Sequence, residues 1–133
     1  MEKIEFDSLF NKTVVFAGCE LIEYEKGNVT VKTSVNETDA NPYKTAHGGY
    51  LYTLCDNLAG LVAYSLGNYV VTLNSNISYL QRASVSDELI LNGKIVHDGR
   101  STKVVEVEVF CRDRLICKST FTLFVIGKVE SPD

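Results

Sequence analysis

The sequence predicts an α+β domain in which one long central helix packs against a curved antiparallel β-sheet. Only residues 48 to 66 place apolar side chains at helical spacing over several turns, and most of the rest breaks into short β-rich runs bounded by turn-forming residues. The length of 133 residues sets the scale: a single domain, 1–133, able to bury a core without disulfides or a structural metal.

Residues 3 to 11 suit a short covering helix with Ile4, Leu9 and Phe10 inward. From Val14 to Val35 the chain is rich in β-branched residues and is interrupted by Glu25-Lys26-Gly27-Asn28. Val29, Val31, Thr33 and Val35 alternate with polar neighbours, so a hairpin is expected. Residues 36 to 46 are a loop, where Pro42 holds Asn41 extended. In the segment 48 to 66, Leu51, Leu54, Cys55, Leu58, Leu61, Val62 and Ser65 share helical spacing, and Gly67-Asn68 ends it. Its other side carries the small Ala59, Gly60 and Ala63, so the helix is apolar or small nearly all round and is expected to be buried. Strand-like runs follow at 69 to 80, 88 to 97, 102 to 111 and 115 to 126, and their short connections imply antiparallel neighbours. Residues Glu130 to Asp133 read as a solvated tail.

Composition narrows the function. Hydrophobic residues make up 45% and charged ones 23%, the balance of a packed domain. The net charge of -4, with no clustering of basic residues, excludes a nucleic-acid partner. Acidic residues interrupt the N-terminal Met1-Glu2-Lys3-Ile4-Glu5, so no signal peptide is expected, and no apolar run reaches the roughly 18 residues of a membrane helix. Cys19, Cys55, Cys111 and Cys117 lack CxxC spacing, which suits free thiols in a reducing cytoplasmic compartment and no metal site.

Residues 41 to 80 carry a further pattern: Asn41, five residues, His47-Gly48-Gly49, six residues, Asp56, then Thr72 and Asn76-Ile77-Ser78-Tyr79-Leu80. This resembles the hotdog-fold acyl-CoA thioesterases of the phenylacetate-degradation type. The similarity runs over about residues 28 to 126 and includes Gly99-Arg100 at a turn. It departs at Gln81-Arg82-Ala83, where that family often has Arg-Pro. The resemblance implies a hotdog fold and hydrolysis of acyl-CoA to a carboxylic acid and coenzyme A, with no cofactor beyond the coenzyme A of the substrate. It also implies Asp56 as general base or nucleophile and Gly48 as oxyanion donor. Asn41 and His47 would line the same pocket with Gly49 against the substrate, and Thr72 would orient the water or Asp56.

The residue types fit that chemistry. Gly48 lies where the helix begins, so its amide lacks an intrahelical acceptor, the helix dipole adds positive potential, and no Cβ obstructs a thioester. Each residue also has a plain structural reading: Asp56 as a solvated helix residue, His47 as a helix-start residue satisfied by the backbone. Asn41 would be a turn residue before Pro42, and Thr72 a strand former.

Eight residues of helix put Gly48 and Asp56 about 12 Å apart along the axis. Reacting groups must approach within about 3 to 3.5 Å, so the two are expected from different chains across a homodimer, with a dimer-of-dimers tetramer by analogy with relatives. The same rise separates His47 from Cys55, which disfavours a cysteine nucleophile, and His97 reads as structural. Arg82, Arg100, Ser101, Thr102 and Lys103 are candidates for the coenzyme A phosphates. Tyr50, Tyr52, Leu54 and Tyr64 would line an acyl pocket or, more in keeping with their pattern, the core. The competing functions are a non-catalytic acyl-CoA-binding module, a hotdog acyl-thioester dehydratase or hydratase with a differently placed His and Asp pair, and a purely structural oligomer.

Overall fold

The computed structural model describes residues 2–129, so the expected tail at Glu130 to Asp133 lies outside the described residues. Helix α1 (Lys3–Lys12) leads through a short 3-10 turn (Val14–Phe16) into β1 (Glu20–Glu25) and β2 (Asn28–Ser34). A second 3-10 turn (Glu37–Asp39) precedes the long helix α2 (Gly48–Ser65). Then come β3 (Asn68–Tyr79), β4 (Glu88–Asp98), β5 (Thr102–Cys111) and β6 (Arg114–Lys128). The strands form one antiparallel sheet in the order β1-β2-β4-β5-β6-β3.

The period of two decides which face meets the helix. On β5, Lys103, Val105, Val107, Val109 and Cys111 are buried while their neighbours are only partly so. Against that face α2 buries Leu51, Leu54, Cys55, Leu58, Leu61 and Val62. Each fully buried Leu or Val contributes about 1.5–3 kcal/mol, so this contact is the main source of stability. Gly93 of β4 permits the close approach: a Cβ there would lie 2.9 Å from Val62 Cγ2 and 3.0 Å from Leu58 Cγ. The end of α2 is held by Ser65, whose Oγ accepts from the Gly27 N–H at 2.9 Å in the β1–β2 turn, where Gly27 has φ +84°.

Three expectations are corrected. Helix α1 turns Phe6 and Phe10 inward and leaves Ile4 82% exposed, with Leu9 partly buried. The i, i+4 aromatic pair wins because each ring meets another, Phe6 on Tyr24 at 4.4 Å and Phe10 on Phe16 at 5.1 Å. The first strand begins at Glu20 rather than Val14, because the Phe16 and Ala17 amides close tight turns onto Thr13 and Val14 and Gly18 adopts φ +80°. Strands β3 and β4 are not neighbours, since β3 pairs with β6. The connection from Leu80 to Asp87 does not close a hairpin. Two of its backbone bonds go to the loop before α2, Ala46 N–H to Ala83 O at 2.8 Å and Val85 N–H to Lys44 O at 3.0 Å, while Leu80 N–H donates to Ile116 O at 2.8 Å and Ser86 N–H to Val35 O at 2.8 Å. Strand β3 is thereby left at the sheet edge beside α2, and two loops converge on the start of that helix.

Candidate active site

Those two loops build the first half of the site. Asn41 Oδ1 accepts from the Tyr43 N–H at 2.9 Å, the Thr45 N–H at 3.2 Å and the Thr45 hydroxyl at 3.1 Å. This is the turn role foreseen for Asn41, and it leaves Nδ2 as the donor of the side chain. His47 caps α2: its Nδ1 accepts from the Tyr50 N–H at 2.9 Å, which places the proton of a neutral ring on Nε2. Gly49 serves that cap, since a Cβ at 49 would come within 3.3 Å of His47 Nδ1.

Gly48 is the first helical residue, and its N–H has no backbone acceptor among the described residues. Over it lies Tyr79, whose hydroxyl donates to Gly48 O at 2.8 Å and whose Cζ would be 3.1 Å from a Cβ at 48. Burial, chiefly, raises the Tyr79 phenol above its ordinary range. The motif contained Tyr79, but a contact across 31 residues has no local signature. Asn41, Gly48, Leu51, Tyr79 and Arg82 line one cavity of about 570 Å³.

The second half lies farther along α2. Thr72 donates its hydroxyl to Asp56 Oδ1 at 2.7 Å. Thr72 pairs with buried Leu123, so it faces the helix side of the sheet, and a register shift between Thr72 and Asn74 follows at once. Asp56 and Thr72 line another cavity of about 510 Å³, with Gly60, Leu61, Tyr64 and Tyr69. Gly48 and Asp56 of one chain therefore open onto different cavities.

The other candidates divide. Arg82 joins Gly48, whereas His47, Gly49, Arg100, Ser101 and Thr102 line neither cavity. The β4–β5 turn containing Arg100 and Ser101 lies at the Thr72 end of the sheet, because Thr102 pairs with Phe124 and Thr72 with the adjacent Leu123. Lys103 is buried, paired with Asp98 and donating to Gly99 O at 3.1 Å, so it pins this turn and is removed from the phosphate candidates. Cys55 is fully buried and its thiol is pushed up to about 12 by desolvation, so it offers no nucleophile. Leu54 belongs to the core. Tyr50 is half-buried with its phenol pushed up to about 12, mainly by burial and then by the Asp39 carboxylate. Tyr52 packs on Phe121 at 5.7 Å and shares a 2.6 Å hydrogen bond with Ser75, while Tyr64 lines the Asp56 cavity. Among the described residues no group of three or more His, Cys, Asp or Glu side chains can hold a metal ion.

With this geometry in hand, the chain can be set beside known proteins. The thioesterase superfamily pattern matches residues 43–118. A Streptococcus mutans UA159 protein, solved bound to acetyl CoA, is 45% identical, with 90% of this chain and 97% of that one covered at a TM-score of 0.85. A hypothetical thioesterase from Streptococcus pneumoniae TIGR4, solved with coenzyme A, is 44% identical over 86% of this chain and 94% of that one, TM-score 0.83. It has also been solved with an aspartate-to-alanine and with a threonine-to-alanine substitution, sixteen positions apart. The acyl-coenzyme A thioesterase PaaI of Escherichia coli K12 is 26% identical over 69% of this chain, a match spanning 66% of that relative's length.

Proposed function

Because the chain belongs to the thioesterase superfamily, we propose that it hydrolyses acyl-CoA thioesters at sites assembled from two copies of itself. The observation that carries this reading is the separation of the Gly48 amide and the Asp56 carboxylate into two cavities. A thioester carbonyl held by the Gly48 N–H of one protomer is within reach of a carboxylate only if the partner supplies it.

In that composite site the Gly48 amide and the positive end of α2 stabilise the oxyanion, and the Asn41 amide group adds a donor. Thr72 holds Oδ1 of Asp56, which leaves Oδ2 to take a proton from water as the water oxygen bonds to the carbonyl carbon. The tetrahedral adduct collapses with cleavage of the C–S bond, and Asp56 returns its proton to the departing thiolate, giving the carboxylic acid and the coenzyme A thiol and restoring the carboxylate. Direct attack by Asp56 on the carbonyl would lead to the same products through an anhydride. Asp56 and Thr72 are sixteen residues apart, the spacing of the two substitutions in the pneumococcal relative, which supports their working as a pair.

Strand β3 supports the pairing of chains. Among the described residues it ends the sheet with an unpaired edge and exposes Val71 and Leu73, so antiparallel addition of a partner's β3 about a two-fold axis would satisfy its backbone. Two such dimers would associate into the tetramer. Arg82 beside Gly48 suits the coenzyme A phosphates. Arg100, Ser101 and Thr102, at the Thr72 end of the sheet, would approach them from the partner. Among the described residues no helix is long and apolar enough to cross a membrane, in keeping with a cytoplasmic enzyme. Thiol release from acyl-CoA by the wild type and by Asp56→Ala tests the reading. Loss of at least 100-fold is expected for the variant, and equal turnover would remove Asp56 from the mechanism.

A further inference from the structure

Three hydrogen bonds tie α2 to the edge strand β3 at regular intervals. The Tyr79 hydroxyl donates to Gly48 O at 2.8 Å, the Tyr52 hydroxyl shares a 2.6 Å bond with Ser75 Oγ, and the Thr72 hydroxyl donates to Asp56 Oδ1 at 2.7 Å. Gly48, Tyr52 and Asp56 are four residues apart, so the three bonds follow one face of the helix at about 6 Å intervals. The outer two belong to the two halves of the site. The middle one takes no part in the chemistry, yet it is part-buried, with the Tyr52 ring packed on Phe121 at 5.7 Å.

Symmetry gives the middle bond its place. A two-fold axis that brings Gly48 of one copy to Asp56 of the other exchanges positions 48 and 56 on α2, and with them positions 79 and 72 on β3. The midpoint on the helix is Tyr52, and the midpoint on the strand falls between Ser75 and Asn76. Helix and strand thus independently select Tyr52 and Ser75, which are already bonded to each other. In the composite assembly this pair lies beside the axis and faces its own copy. Groups at such a point must complement themselves: a charge would meet the same charge, whereas a hydroxyl both donates and accepts. The internal bond uses one of the pair's two O–H groups and leaves the other to donate across the axis. We infer that Tyr52 and Ser75 are a positioning pair, closed with its copy into a ring of four hydroxyls that sets the register of β3 on the partner's β3. This rests on the composite hydrolytic site. A slip of one residue moves the strands by about 3.3 Å, as much as the distance within which reacting groups must meet, so both sites of a dimer would be lost together.

Cysteine cross-linking reads the placement. Asn76 and Ser78 are exposed and pair with Thr120 and Lys118, so they share the outer face of β3. A cysteine at 76 lies within the roughly 7 Å Cα limit of its own copy, whereas one at 78 is at least four strand steps, about 13 Å, away. With oxidised glutathione, Asn76→Cys is expected to form a covalent dimer, and Ser78→Cys and the wild type none. No dimer at 76, or as much at 78, overturns the placement. The positioning role is read from kcat, on the best substrate of a panel from acetyl-CoA to palmitoyl-CoA, at protein concentrations where ultracentrifugation shows no dissociation. Tyr52→Phe and Ser75→Ala each lower kcat about threefold to tenfold, the worth of one neutral hydrogen bond, and leave KM within about twofold. The double variant loses no more than either single one, because both delete the same interaction. Ser75→Thr keeps the hydroxyl and the wild-type kcat. Unchanged kcat in both deletions, or equal loss in Ser75→Thr and Ser75→Ala, overturns the role. Wild type that releases no thiol from any member of the panel refutes the hydrolytic reading instead, an outcome the cross-linking pattern does not depend on.

Discussion

Replacing Thr72 with valine deletes the hydroxyl that donates to Asp56 Oδ1 at 2.7 Å and keeps both the outline and the strand preference of the residue. A hydrogen bond to a carboxylate is worth about 1.5–3 kcal/mol, and the lower end applies because Thr72 is exposed. At about 1.4 kcal/mol for each factor of ten, kcat/KM should fall about tenfold. Thr72→Ser keeps the hydroxyl and should stay within about threefold of the wild type on the same scale. Coenzyme A release, followed with a thiol-reactive dye, gives the rates, and melting temperatures of the variants show whether folding has changed. Full activity in Thr72→Val would refute the assignment. Equal loss in the valine and serine variants would move the role of Thr72 from its hydroxyl to its packing.

Tyr79→Phe removes the bond to Gly48 O while retaining the ring, so kcat should drop about threefold to tenfold with little change in melting temperature. Gly93→Ala forces a Cβ to within 2.9 Å of Val62, and a loss of about 1–3 kcal/mol in denaturant unfolding is expected. Cys55 and Cys117, raised by burial to about 12 and about 11 from an ordinary 9.0, should resist a disulfide reagent at about pH 8 in the native protein and react once it unfolds. The fold holds these thiols protonated more tightly than the unfolded chain does. Their contribution to stability is therefore complete below about pH 9 and declines as pH rises towards 11.

What the sequence made legible was local. The apolar period of 3.6 placed α2 within a residue of its observed end, and the alternation in residues 102 to 111 matched β5. The same alternation assigns Lys103 to the inward face, against the outward position its charge favours. Non-local facts were hidden: pairing of β3 with β6 depends on where the 80–87 connection finds its hydrogen bonds, and the seating of Tyr79 on Gly48 depends on that pairing. At the site, motif spacing brought Asn41 and Gly48 to one cavity, and helical rise alone separated Gly48 from Asp56. For His47 the plain reading of a helix-start residue describes what the ring does, because capping is set by the few residues around it.

The shared site is tested most directly by mixing two inactive proteins. Asp56→Ala keeps the Gly48 amide, whereas Gly48→Val keeps the carboxylate and crowds Tyr79, which would meet a Cβ at 3.1 Å. After subunit exchange at equal amounts, half of the dimers are mixed and each carries one intact site. Turnover should then rise to about a quarter of the wild-type value. If exchange is verified by mass spectrometry and the mixture stays as inactive as its components, the two groups do not meet across an interface.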